Sequence, residues 1–127
     1  NVAGHRLSTG QMEQIVACHP LVSECAVIGV DDALKGMVPM AFVVARTGEW
    51  DAAALGAEII KAVRDELGPV AALKDVHIVG ALPKTRSGKI LRAALRQVAA
   101  GEAIAMPATI ESPAALEAIM AIFAKVE

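Results

Sequence analysis

Residues 25–45 read CAVIGVDDALKGMVPMAFVVA and contain two nearly continuous apolar runs, residues 25–30 and 38–45. The polar stretch between them, residues 31–36, includes a glycine and has the composition of a short loop. Apolar runs of this length, bounded by turn-forming residues, are typical of strands buried in a sheet. This part of the chain therefore predicts two buried antiparallel strands joined by a short connection.

Two helices flank this strand pair in the sequence. Ser8 and Gln11 form a capping box, and Asp51 can cap the second helix. The first helix should stop before Pro20 and the second at Gly68. Their apolar residues recur at helical spacing: Met12, Ile15 and Val16 in the first, and Leu55, Ile59, Val63 and Leu67 in the second.

The second half of the chain predicts one more strand, residues 76–79, and two more helices. The third helix should be capped at or near Ser87, and the fourth should begin at Ser112-Pro113, where proline suits the first helical position. Their apolar stripes are Ile90, Leu91, Ala94, Leu95 and Val98 in the third helix, and Leu116, Ile119, Met120 and Phe123 in the fourth. With a strand at the N-terminus, the order βαββαβαα predicts a small α+β domain whose short sheet is covered by helices.

The composition is that of one folded domain, with 127 residues of which 55% are hydrophobic and 20% charged. No apolar run approaches the roughly 18 residues that would suggest a membrane span. The opening at Asn1 looks like the middle of a structure, so we expect a domain cut from a longer chain. Cys18, His19 and Cys25 lack a fourth metal ligand nearby, and we expect the two cysteines to be buried thiols in a reducing compartment.

Residues 82–92, LPKTRSGKILR, contain the pair Gly88-Lys89, which also occurs in phosphate-binding P-loops. A P-loop needs another glycine five positions before that glycine, and a Ser or Thr after the lysine. Pro83 and Ile90 occupy those positions, so the P-loop interpretation fails.

The segment still suits phosphate chemistry. We expect Lys89 to lie at the start of the third helix, where free N–H groups and the helix dipole favour an anion. Residues 83–100 carry five basic and no acidic residues, which leaves −7 for the rest of a chain whose net charge is −2. Arg92 and Arg96 should follow on the polar face of the helix. A solvated basic face without function would explain the same pattern.

A nucleic-acid-binding module that uses residues 84–96 is a further alternative. The chain has no tyrosine, however, and Phe42 and Phe123 lie in apolar runs. Because stacking aromatic residues are lacking and the overall charge is negative, the composition argues against this alternative.

Two stretches resemble a known family. Residues 83–92, PKTRSGKILR, resemble the signature near the C-terminus of adenylate-forming enzymes, which include acyl-CoA synthetases, peptide-synthetase adenylation domains and luciferases. Residues 1–7, NVAGHRL, resemble the segment after the hinge between the two domains of acyl-CoA synthetases. The resemblance covers the whole chain, residues 1–127, and is strongest to acetate and propionate ligases. Residues 4–10 and 106–110 favour the propionate type.

The resemblance implies a mobile C-terminal domain with an N-terminal β-hairpin arm and a mostly antiparallel sheet of about three strands. It implies that Lys89 is the catalytic lysine of acyl-adenylate formation and a site of regulatory acylation. Arg6 would contact the adenylate phosphate, and Gly4 would line the path of the coenzyme A thiol. Arg64 would lie toward the nucleotide end of coenzyme A, although a solvated surface arginine fits its position equally well.

The same resemblance implies the partners. ATP, coenzyme A and a short-chain carboxylate would be substrates, and Mg²⁺ would bind outside this domain, so we expect no metal site here. The hinge acid, the ATP motifs and the acyl pocket would belong to an N-terminal domain, without which the chain should be inactive. A lysine acetyltransferase and deacetylase are possible partners, whereas no nucleic acid or membrane is expected. The location would be cytoplasmic, or the mitochondrial matrix in a eukaryote. An adenylate-forming enzyme that loads a carrier-protein thiol is the related alternative.

Overall fold

The computed structural model describes residues 9–32, 36–46, 51–68, 73, 75–101, 110–111 and 113–124. Within these residues the chain forms four helices and three strands. In chain order they are α1 (Thr9–Ala17), β1 (Val22–Asp32), β2 (Gly36–Ala45), α2 (Ala52–Leu67), β3 (Asp75–Val79), α3 (Arg92–Ala99) and α4 (Pro113–Ala124).

The three strands form one open sheet in the order β1-β2-β3. The predicted antiparallel pair is confirmed, with Val27 opposite Ala41, and both strands extend beyond the apolar runs that predicted them. β3 pairs with β2 in parallel, with Ile78 opposite Val43. Two parallel strands in one sheet need a crossover connection, and helix α2 lies in the connection from β2 to β3. The predicted α+β class is confirmed, and the sheet is mixed.

Each face of the sheet is covered by two helices. α1 and α2 pack on one face, where Val27, Ala41 and Val43 are buried against Ile59. α3 and α4 pack on the other face around Phe42. Because neighbouring strand residues face opposite sides, residues 41–43 supply both cores in turn. A strand buried on both faces reads as a continuous apolar run, which explains the pattern of residues 38–45.

α2 begins and ends as its sequence predicts. The Asp51 carboxylate accepts a hydrogen bond from Ala54 N at 2.9 Å. Gly68 follows the last turn with a φ of 85°, and its N–H donates to Arg64 O at 2.7 Å. Local cap chemistry therefore fixes both ends of this helix.

Three sequence predictions are wrong. α3 begins at Arg92 and not near Ser87, because Leu91 N donates to Pro83 O and Ile90 forms a bridge with Lys84. Met120 is not part of the buried stripe of α4, since it is 36% exposed. Cys18 is exposed rather than buried. The N-terminal arm and the predicted caps Ser8 and Ser112 lie outside the described residues.

Candidate active site

A tight hairpin carries Lys89. Its ends are joined by an antiparallel bridge between Lys84 and Ile90, and Leu91 N donates to Pro83 O at 2.9 Å. Within it, Thr85 N donates to Lys89 O at 2.8 Å. Thr85 also forms an antiparallel bridge with Ile110, and Glu111 N donates to Lys84 O at 2.8 Å. The hairpin is therefore anchored to the chain segment before α4.

The turn of this hairpin is closed by side-chain hydroxyls. Thr85 Oγ1 accepts a hydrogen bond from Lys89 N at 3.1 Å and lies 2.9 Å from Ser87 Oγ. Gly88 N donates to Thr85 O at 2.9 Å, and Gly88 has a φ of 94°. That left-handed torsion is one that glycine adopts without steric cost. The serine thus supports the turn and does not cap a helix.

Lys89 is exposed, and within the described parts of the chain no ion pair involves its ammonium. The expectation that it lies at a helix start is wrong, because two residues separate it from the first residue of α3. Its N–H is bonded to Thr85 and is not free for an anion. What the hairpin offers is therefore an exposed cationic side chain on a hydrogen-bonded backbone.

The other basic residues of the segment divide into two groups. Arg86 and Arg96 are exposed. Lys84 is largely shielded, with 26% of its side chain exposed, and its Nζ lies 2.7 Å from Glu24 Oε1. Arg92 is held in a bidentate pair by Glu13. A wholly solvated basic face is therefore not what the segment forms.

Glu13 is the residue that the sequence did not single out. Its Oε2 accepts hydrogen bonds from Val27 N at 3.0 Å and from Arg92 Nε at 2.9 Å, while its Oε1 accepts one from Arg92 Nη2 at 2.7 Å. The hydrogen bond to Glu13 raises the pKa of the Arg92 guanidinium above its ordinary value. The available signal was an acidic residue directly beside the buried Met12, but its partner lies 79 positions away.

A shallow groove of about 690 Å³ lies between α1 and the lysine hairpin, with Glu24, Cys25 and Gly88 among its lining residues. Burial, assisted by the charge of Glu13, raises the pKa of the Cys25 thiol to about 11. The thiol is therefore protonated near neutral pH and is a poor nucleophile. Among the described residues, no group of three or more His, Cys, Asp or Glu could hold a metal ion.

Among the described residues, no hydrogen bond or ion pair joins the Arg64 side chain to the lysine hairpin. Arg64 is exposed on α2, which packs on the first face of the sheet, whereas Leu82 and Ile90 beside the hairpin pack in the second core. The two predicted site residues thus belong to segments that contribute to different cores. Gly4 and Arg6 lie outside the described residues.

The two histidines that the structure describes, His19 and His77, have structural partners. His77 stacks on Phe42 with ring centroids 5.4 Å apart and meets the edge of Phe123 at 5.4 Å. His19 Nδ1 accepts a hydrogen bond from Leu21 N, which leaves Nε2 as the donor to Glu58 Oε1 at 2.7 Å.

Comparison with known proteins gives the family. The family described as the AMP-binding enzyme C-terminal domain matches residues 11–89, which run from α1 through the lysine hairpin. An acyl-CoA synthetase short-chain family member B, mitochondrial, from Dictyostelium discoideum is 50% identical over 126 residues, covering 98% of this chain and 18% of its own length. An acetyl-coenzyme A synthetase from Pyrobaculum arsenaticum is 44% identical over 116 residues, covering 91% of this chain and 17% of its own length.

A solved structure of an acyl-CoA synthetase also has a similar fold. The acyl-CoA synthetase of Brucella canis matches with a TM-score of 0.70 and 34% identity, over 76% of this chain and 18% of that protein. The small α+β domain is thus a known class of fold. This chain belongs to the family of AMP-binding enzyme C-terminal domains. It spans less than a fifth of the length of these relatives. In the described residues, no helix is long and apolar enough to cross a membrane.

Proposed function

We propose that this chain is the C-terminal domain of an AMP-forming ligase that joins a short-chain carboxylic acid, propionate or acetate, to coenzyme A. The observation that carries the proposal is Lys89, whose ammonium is exposed and without an ion pair among the described residues, on a hairpin closed by Thr85. The names of the relatives, short-chain acyl-CoA synthetase and acetyl-coenzyme A synthetase, support the reaction class.

In the proposed first half-reaction a carboxylate oxygen attacks the α-phosphate of ATP. An O–P bond forms, the bond to pyrophosphate breaks, and an acyl-adenylate results. Because two anions approach each other, an ammonium that contacts both stabilises the charge of the transition state. We assign this role to Lys89. Mg²⁺, the usual companion of ATP, would be held by the N-terminal part of the whole protein.

In the proposed second half-reaction the coenzyme A thiol attacks the acyl carbonyl, and AMP leaves. We assign Arg6 to the adenylate phosphate, Gly4 to the thiol path and Arg64 to the nucleotide end of coenzyme A. Arg64 lies on α2, which packs in the first core, whereas Ile90 beside Lys89 packs against the second core, and this supports the use of different surfaces in the two half-reactions. A domain that presents one face for each half-reaction would need to rotate between them.

We also propose that acylation of Lys89 switches the enzyme off. The exposed Lys89 side chain is open to an acetyltransferase, whereas the neighbouring Lys84 is 2.7 Å from Glu24 Oε1 and only 26% exposed. Acylation removes the charge that the first half-reaction needs. Such regulation would make an acetyltransferase and a deacetylase partners of the protein. The mitochondrial relative supports the mitochondrial matrix as one location, and the bacterial cytoplasm is the other that we propose.

The alternatives have less support. An enzyme that loads a carrier-protein thiol would share the lysine hairpin, but the relatives with 44–50% identity bear coenzyme A in their names. A nucleic-acid module would need its basic residues free, yet Arg92 and Lys84 are paired with carboxylates.

The reaction class is tested by assaying the whole protein with ATP, coenzyme A and a panel of acids from acetate to hexanoate. We expect acyl-CoA and AMP in equal amounts, with the highest kcat/KM for propionate or acetate. Formation of ADP, or transfer to a carrier-protein thiol in preference to coenzyme A, would contradict the proposal.

The coenzyme A residues are tested by two variants. Gly4→Leu should block thioester formation and spare pyrophosphate exchange, because the branched side chain would obstruct the thiol. Arg64→Ala should raise the KM for coenzyme A more than that for ATP. Lys61→Ala, which removes another exposed cation of α2, is the matched control. Equal effects on both substrates would remove Arg64 from the site.

The regulation is tested by incubating the whole protein with an acetyltransferase and acetyl-CoA, followed by site mapping and activity assays before and after deacylation. We expect modification at Lys89 in proportion to lost adenylation. Stoichiometric modification of Lys89 with full activity would refute the switch.

A further inference from the structure

We propose that Glu13 is a positioning residue that holds the lysine hairpin in place through Arg92. This inference rests on the role proposed for Lys89 and extends it to a residue outside the hairpin. Glu13 lies on α1, which packs on the opposite face of the sheet from α3, yet its carboxylate contacts the first residue of α3. It therefore reaches around the edge of the sheet.

Strand β1 holds the carboxylate of Glu13 in place. β1 is an edge strand, and Val27 N donates to Glu13 Oε2 at 3.0 Å. Only 1% of Val27 is exposed, so this N–H has little access to water. An unpaired buried N–H costs about 1–3 kcal/mol. The edge strand thus gives the carboxylate a fixed place, and only 19% of the Glu13 side chain is exposed.

Glu13 in turn holds the guanidinium of Arg92. The guanidinium of Arg92 donates to both carboxylate oxygens, at 2.9 and 2.7 Å. A bidentate pair of this kind fixes orientation as well as distance, because both groups are planar. Arg92 N also donates to Ile90 O at 3.0 Å. Arg92 therefore lies directly after the end of the hairpin at which Lys84 and Ile90 are bridged. Fixing this guanidinium fixes the end of the hairpin that carries Lys89.

A second contact holds the other strand of the hairpin, which contains Lys84. Lys84 Nζ lies 2.7 Å from Glu24 Oε1, and Glu24 belongs to β1. Both strands of the hairpin are therefore tied to the same edge of the sheet, through Glu13 with Arg92 and through Glu24 with Lys84. We call these four residues the edge clamp. A lysine that must meet a substrate held by another domain needs such a fixed base, since a displacement of 1 Å can cost about 100-fold in rate.

The test uses the whole protein and two half-reactions. Adenylation is followed by pyrophosphate exchange, and thioester formation by supplying the acyl-adenylate with coenzyme A. Glu13→Gln keeps the shape of the side chain but removes its charge, and Arg92→Lys keeps the charge but removes the planar fork. We expect each to lower adenylation about 10- to 100-fold while thioester formation changes less than 3-fold. The double variant should lose little more than either single variant, because both remove one contact.

Glu58→Gln is the matched control. It makes the same chemical change in a carboxylate of α2 that pairs with His19 and not with the hairpin. It should leave both half-reactions unchanged. If Glu13→Gln lowers both half-reactions equally, the contact only stabilises the fold and the positioning role is refuted. Full adenylation in Glu13→Gln would refute it as well.

Hydrogen exchange separates this inference from the role of Lys89. In the whole protein, the peptide spanning residues 83–92 should exchange faster in Glu13→Gln than in the wild type or in Glu58→Gln. Unchanged exchange there would overturn the clamp. If Lys89→Ala retains adenylation, the proposed function of Lys89 fails, and exchange in the hairpin alone then decides whether Glu13 holds it.

Discussion

Gly88 gives the lysine hairpin its turn. Its φ is +94°, and no heavy atom lies within 4 Å of the position that a Cβ would occupy. A side chain there would meet no neighbour, so its cost would come from the backbone torsion alone. For an L-residue in the left-handed region that cost is roughly 1–2 kcal/mol.

Gly88→Ala should therefore lower the free energy of unfolding by about 1 kcal/mol and reduce adenylation, because the hairpin relaxes. Urea denaturation of the 127-residue chain measures the first effect, and pyrophosphate exchange in the whole protein measures the second. Gly10→Ala is the control, since Gly10 lies in α1 and also has no atom within 4 Å of its Cβ position. That change should leave stability equal or higher. Equal stability of Gly88→Ala and wild type would contradict the account.

At the scale of elements, sequence signals succeed where their cause is local. The Asp51 cap, the Gly68 stop and the apolar period between them predicted α2 correctly, since all three act within a few residues. The apolar runs predicted β1 and β2, because strands buried on both faces need continuous apolar sequence.

The start of α3 could not be predicted in the same way. Ile90 and Leu91 fit the helical period of the residues that follow, yet the backbone of both pairs with residues 83–84. The contact between Glu13 and Arg92 was equally invisible, because it joins residues 79 positions apart. The motif around Lys89 could be recognised from the sequence, whereas the contacts that hold the hairpin in place could be seen only in the folded structure.

Strand β3 contains a histidine, His77, whose protonation is linked to folding. His77 is half-buried against Phe42 and Phe123, and burial lowers the pKa of its imidazole below 6.5, partly opposed by the charge of Asp75. The neutral ring is therefore favoured in the folded state. Its contribution to stability is present above pH 6.5 and is lost as the pH falls from 6.5 through the lower folded pKa.

His77→Phe removes this titration while keeping a ring between Phe42 and Phe123. We expect the loss of unfolding free energy between pH 7 and pH 5 to be smaller in the variant than in the wild type. Chemical denaturation at both pH values measures the difference. An identical loss in both proteins would show that His77 does not titrate against folding.

At the scale of the whole molecule, one sheet supports two cores. Ile59 and Val63 are fully buried on one face, and Leu95, Leu116 and Ile119 on the other. Helices on both faces give the described residues a closed interior without another domain. The exposed Lys89 and Arg64, by contrast, form no ion pair among the residues that the structure describes.

The 127-residue chain alone should therefore unfold in one cooperative transition but make no acyl-CoA. Thermal denaturation followed by circular dichroism tests the first statement. A radiometric assay with ATP, coenzyme A and propionate tests the second, with the whole protein as positive control. Acyl-CoA formed by the purified chain above the level of a mock purification would contradict the division of labour proposed here.

The central claim is that Lys89 acts in adenylation alone, and a comparison of both half-reactions in Lys89→Ala tests it most directly. In the whole protein, pyrophosphate exchange should fall by on the order of 10²–10³ or more, the scale for loss of one key stabilising group. Thioester formation from supplied acyl-adenylate should stay within a few-fold of wild type. Lys61→Ala, which removes a lysine with 76% of its side chain exposed, should change neither. Comparable loss of both half-reactions in Lys89→Ala, or loss of neither, would contradict the account.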